Sequence, residues 1–134
     1  MPARARPPSA ARSLRGAAAR RAGRRQEVVA ALWLMLKGYR ILGFRLKTPQ
    51  AEIDLLAQRG RALAVVEVKS RVSIETALES VTADQRGRLR RAARALVAGT
   101  PRLAGLSVRL DLIALAPRAW PRHIRDAWRD DATY

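Results

Sequence analysis

The sequence predicts an α/β domain, a mixed β-sheet flanked by helices and built in the order helix, three strands, helix, strand. Three observations predict it. A helical apolar pattern starts at Gln26; two apolar runs, 51–57 and 62–69, are separated only by Gln58-Arg59-Gly60-Arg61; and a strand-helix-strand segment closes the chain. The last arrangement joins strands through a helix packed on the sheet face, which gives a mixed sheet when the earlier strands form a hairpin.

Taken in order, Val29, Leu32, Trp33 and Leu36 fall at helical spacing and Gly38 is a stop signal, so the first helix has one buried face. Leu42, Phe44 and Leu46 then alternate up to Thr48-Pro49, as in a strand. The runs 51–57 and 62–69 read as a β-hairpin around Gly60 and Arg61. Between Val72 and Ser80 no helix or strand is read. From Thr82 to Ala98 the pattern is helical again, with Leu89, Ala92, Ala93, Leu96 and Val97 on one face, a capping box from Thr82 to Gln85, and Gly99 then Pro101 as terminators. Residues 107–115, SVRLDLIAL, form a fourth strand, and a short turn or helix near His123 to Trp128 closes the core.

Ahead of the first helix, residues 1–22 are arginine-rich, free of acids and poor in large apolar side chains, so they cannot bury enough surface to offset chain entropy. They read as a disordered basic tail before a single domain at 23–134. An organellar transit peptide has the same composition, and a start codon assigned too early would produce the same appearance. Over its 134 residues the chain carries 27 basic and 11 acidic residues, a formal net charge of +16. That balance points to a polyanionic partner, DNA or another nucleic acid first, although anionic lipid or an acidic ribosomal surface has matching charge. Cysteine is absent, which excludes disulfides, thiolate metal sites and cysteine nucleophiles. No apolar stretch reaches the roughly 20 residues of a membrane span and no secretory h-region is present, so a cytoplasmic, nucleoid-associated location is expected.

The acids in the hairpin pose a chemical question, because a carboxylate in an apolar strand is costly unless something compensates it. Side chains two apart on a strand share a face, so Glu67 and Lys69 of VVEVK project together. With Gly60 and Arg61 as central turn residues, Asp54 stands opposite Glu67, at roughly 4.5 to 5.5 Å between cross-strand neighbours. Two carboxylates at that separation repel unless a proton or cation lies between them. Mg²⁺ or Mn²⁺, with oxygen ligands and retained waters, suits the pair, and Lys69 beside it could orient a water and offset developing negative charge. The same three residues could also form a buried Asp-Lys-Glu ion network.

Together, GRRQEVVAALWLMLKGYRIL at 23–42, AEIDLLA at 51–57, VVEVKSR at 65–71, RLDLIAL at 109–115 and HIRDAW at 123–128 resemble the small bacterial YraN family. Its members look like nucleases of the PD-(D/E)xK class. The resemblance implies a restriction-endonuclease-like core, with Asp54, Glu67 and Lys69 catalytic and Asp54 and Glu67 on the metal. Resolvase-like members of that class add an acid on the first helix, here Glu27. The implied function is metal-dependent hydrolysis of DNA phosphodiester bonds, with branched or repair intermediates among the candidate substrates; the alternative is a non-catalytic nucleic-acid-binding protein that retains the fold.

Other residues admit two readings each. Glu52 shares a face with Asp54 and could be a ligand or a partner of Lys69, whereas Glu27 could equally complement a helix dipole. Asp111 reads as a structural partner for an arginine, His123 as a packing or hydrogen-bonding residue, and Trp33, Trp120 and Trp128 mainly as core. Arg71, Arg86, Arg88, Arg90, Arg91 and Arg94 are the candidate nucleic-acid contacts. With no acid between Gln85 and Thr100, the arginines of the second helix repel one another, which favours a polyanion there.

Overall fold

A computed structural model describes residues 10–132, with side chains described at 23–129 and 131. Helix α1 (Ala10–Leu36) is followed by strands β1 (Arg40–Lys47), β2 (Glu52–Arg59) and β3 (Ala62–Ser70). Two helices, α2 (Ile74–Glu79) and α3 (Ala83–Gly99), then lead through a 3₁₀ turn to β4 (Ser107–Leu115) and β5 (Arg122–Ile124). The strands lie in the order β1-β2-β3-β4-β5; β3 and β4 are parallel and all other neighbours antiparallel. This is the mixed, helix-flanked sheet expected of a restriction-endonuclease-like core.

Central β3 is buried on both faces, which explains why ALAVVEV is nearly continuously apolar where a half-exposed strand would alternate. On one face α1 packs Ala30, Ala31 and Leu34 against Leu55, Ala57, Ala64, Val66 and Ile113. On the other, α3 packs Leu89, Ala92 and Ala93 against Leu56, Leu63, Val65 and Leu110. Paired alanines on each helix let its backbone approach the sheet closely.

Several local expectations are corrected. On α1 the buried stripe is Ala30, Ala31 and Leu34, while Val29, Leu32 and Leu36 are 44%, 54% and 82% exposed. Apolar residues occur all around this part of the helix, so periodicity alone did not select the face that small side chains fit. Val72 to Ser80 contains α2, started by the Ser73 side chain, which accepts from Thr76 N–H. Near the C-terminus β5 precedes a turn and adds His123 to the sheet beside Ile113. Of the proposed tail, residues 1–9 lie outside the described residues, whereas the backbone from Ala10 continues α1, as its alanine and arginine content favours. Among the described residues no helix is long and apolar enough to cross a membrane.

Candidate active site

The hairpin register is the one that the turn implies: Leu55 pairs with Val66 and Arg59 with Ala62. The ladder stops at Leu55, so Asp54, next in line and opposite Glu67, sits where β2 parts from β3. There the Asp54 side chain replaces a backbone partner, with Oδ2 accepting from Val68 N–H at 2.9 Å. Alternation breaks at the same point, since Ile53 packs on the α3 side and Leu55 on the α1 side.

Glu67 is 6% exposed and Lys69 Nζ lies 3.6 Å from its Oε1. Burial raises the Glu67 carboxyl to about 8, helped by the charge of Asp54 and opposed by Lys69. Asp54 is likewise raised, by burial first, against the Val68 N–H that favours its ionised form. The charge of Asp54 raises the Glu67 carboxyl, so the two compete to ionise. One ammonium therefore faces one buried and one half-buried acid, and the remaining negative charge calls for a proton or a cation. A donor set of two carboxylates fits a hard divalent ion that takes its other ligands from water and phosphate.

The pair opens into a cleft of about 340 Å³ between the sheet and the start of α3, lined by Ala51, Glu52, Asp54, Glu67, Gln85, Arg88 and Leu89. Glu52 is on the cleft wall but is exposed, and Lys69 pairs with Glu67 instead. Glu27, expected as a further ligand, is held by Arg45, whose Nε donates to both its oxygens at 2.8 and 2.7 Å. It is close enough that its charge raises the Asp54 carboxyl. Arg45 reaches Glu27 from a left-handed backbone (φ 46), a conformation that costs on the order of 1 kcal/mol and is found where surroundings enforce it. Among the described residues no group of three or more His, Cys, Asp or Glu side chains could hold a metal, so the acids present form a pair rather than a cage.

The arginines divide. Arg86 and Arg90 are committed to Asp131, with Arg86 also donating to Val81 C=O and Arg90 to Trp128 C=O, so both pin the C-terminal segment to α3. Arg88 pairs with Asp84 at 3.2 Å on an exposed surface and lines the cleft. Arg91 and Arg94 are exposed on α3, and Arg71 is exposed just past Lys69. Gln85, absent from the expected site, enters the cleft because the capping box places it in the first turn of α3.

A second polar cluster occupies the opposite, α1 face of the sheet. Asp111, fully buried, accepts from Arg109 Nε and Nη2 at 2.7 Å each and from Asp126 N–H at 3.0 Å, while His123 Nε2 lies 2.8 Å away. Lys37 Nζ lies 2.6 Å from His123 Nδ1, which leaves Nε2–H to face Asp111. Burial alone would raise the Asp111 carboxyl, but His123, Arg109 and the Asp126 N–H together hold it below the usual range. Asp111 is thus the structural partner of an arginine, and His123 a hydrogen-bonding residue. Trp128 packs at the α3 side as expected, whereas Trp120 is 79% exposed.

The family model described as "Uncharacterised protein family UPF0102" matches residues 26–115, which include the hairpin, α3 and β4. A UPF0102 protein of Caulobacter vibrioides is 67% identical over 117 residues, 87% of this chain and 94% of the relative. Similar proteins of Parvibaculum lavamentivorans and Paramagnetospirillum magneticum are 53% and 50% identical, covering 85% and 93% of this chain and 86% and 97% of the relatives. None of these names states an activity.

Proposed function

The chain belongs to the uncharacterised protein family UPF0102, the YraN family, and from its own site we propose that it is a metal-dependent endonuclease that hydrolyses DNA phosphodiester bonds. The observation that carries this reading is the pairing of half-buried Asp54 with buried Glu67, with Lys69 alongside, open to a cleft that Arg88 also lines. Asp54 and Glu67 are the residues that would hold Mg²⁺ or Mn²⁺. Such an ion supplies Lewis-acid stabilisation of the phosphoryl oxygens and acidifies a water. Asp54, fixed by Val68 N–H, and Glu67, fixed in the central strand, would give that ion a rigid seat. Lys69 would orient the attacking water, whose oxygen forms the new P–O bond, and would offset charge that develops on the phosphoryl oxygens as the P–O bond to the leaving group breaks. Arg88, on the rim, can bind a neighbouring phosphate and so hold the strand across the pair.

Two observations favour the alternative, a nucleic-acid-binding protein without catalysis: Lys69 already closes on Glu67, and no third acid completes the pair among the described residues. One assay separates the readings. Purified protein is incubated with Mg²⁺ or Mn²⁺ and duplex, single-stranded, flapped or branched DNA, beside Asp54→Asn and Lys69→Ala. Hydrolysis of at least one substrate, reduced about 100-fold or more in each variant, is expected from losing a charge-stabilising group. DNA binding with no cleavage, or cleavage that the variants retain, sinks the enzyme reading.

A further inference from the structure

The loop between β4 and β5 carries Trp120, which is 79% exposed. Its ring stacks on Trp33 of α1 with centroids 5.8 Å apart and planes at 28°. One side of Trp120 is thus supported by another indole, and the side chain presents a flat, held aromatic surface to solvent. Trp33, Trp120, Lys37, Arg122 and His123 line a shallow depression of about 660 Å³ on the α1 face of the sheet, away from the acid pair on the α3 face.

The charge around this depression is positive and largely uncompensated. Arg125 and Arg59 both act on Lys37, and Asp111, which acts in the opposite sense, is already spent on Arg109 and His123. Lys37 uses one of its three N–H donors on His123 Nδ1, and Arg122 is exposed. A flat aromatic surface ringed by cations is the arrangement that takes an unpaired nucleobase by stacking and its phosphate by charge. A second copy of the chain is disfavoured, because it would bring an equally basic surface, from a molecule of net charge +16, against the same cations.

We propose that Trp120, supported by Trp33 and flanked by Lys37 and Arg122, is a stacking platform for an unpaired base of a single-stranded nucleic acid, separate from the acid pair. It rests on the nucleic-acid part of the function proposed above and not on hydrolysis. The platform would favour substrates in which unpaired nucleotides accompany a duplex.

Binding of a short oligothymidylate, an oligouridylate and a duplex of equal length to the full chain is followed in EDTA by tryptophan fluorescence and anisotropy. Trp120→Ala should weaken single-strand binding about tenfold or more, as losing one stacked base does, with little change for duplex. Trp120→Phe should restore most of the loss, and Arg122→Ala should make the salt dependence shallower. Loss with either oligonucleotide supports the platform, and the two together tell whether it takes the thymidylate strand, the uridylate strand or both. Equal single-strand affinity in wild type and Trp120→Ala overturns it, as does an equal loss for duplex. Self-association, or capture by anionic phospholipid vesicles, that Trp120→Ala abolishes without an effect on oligonucleotides also overturns it. Duplex binding without single-strand binding defeats the platform alone, whereas no binding of any nucleic acid defeats the parent reading as well.

Discussion

Glu67 is the residue at which burial and repulsion bear on the proposed function. Its ordinary pKa is near 4.5, and in the folded protein it is raised to about 8. The folded state therefore holds a proton there that the unfolded chain has released, so this contribution to stability is complete below about 4.5 and is lost as pH rises towards 8. In EDTA, thermal melts should fall across that window, and Glu67→Gln should flatten the fall by removing the titrating group. A Glu67→Gln profile with the wild-type slope would mean that another group sets it. The proposed cation site would need both carboxylates ionised, so added Mg²⁺ should raise the melting temperature more at pH 8 than at pH 6. Asp54 and Glu67 were legible as partners from turn parity alone, because the strand period of two leaves little freedom once Gly60 and Arg61 are the turn. Glu27 was less legible, since its Arg45 partner depends on a left-handed residue in β1 that no local pattern announces.

At the scale of elements, β4 and β5 are joined on the α1 face by the cluster around Asp111. Removing that carboxylate by Asp111→Ala would leave Arg109 and His123 facing one another without a counter-charge in a buried site. The expected cost is about 3 to 5 kcal/mol, read by chemical denaturation, with metal binding at the acid pair retained in the fraction that stays folded. A cost below about 1 kcal/mol would show that the network does not hold β5 to the sheet. The strands and α3 were readable because each has a period or a cap of its own, as Thr82 and Gln85 show. The face of α1 and the short elements α2 and β5 were not, because packing against the sheet decides them. Leu34 is buried and Leu36 exposed for reasons that lie in Ala57, Ala64 and Val66.

Over the whole molecule, the positive charge is divided between structure and surface. Arg86 and Arg90 are held by Asp131 and Arg109 of β4 by Asp111, so the number of arginines overstates the charge that α3 offers a partner, while Arg88, Arg91 and Arg94 remain at the surface. Deleting residues 2–22 should weaken DNA binding most at low salt and make the log-log salt dependence shallower by about 0.9 for each phosphate that those arginines had neutralised. Metal binding should be unchanged; a truncated chain that fails to fold would instead place those residues within the domain. Trp120 shows the limit of reading a surface from sequence, since a scarce aromatic is ordinarily core and only the loop geometry turns it outward. The central claim, that Asp54 and Glu67 seat a divalent cation, is tested most directly by calorimetric titration of Mn²⁺ into the full chain at pH 8. One site is predicted in the wild type and in Lys69→Ala, and none in Asp54→Asn. Absence of binding in the wild type, or an unchanged isotherm in Asp54→Asn, would contradict it.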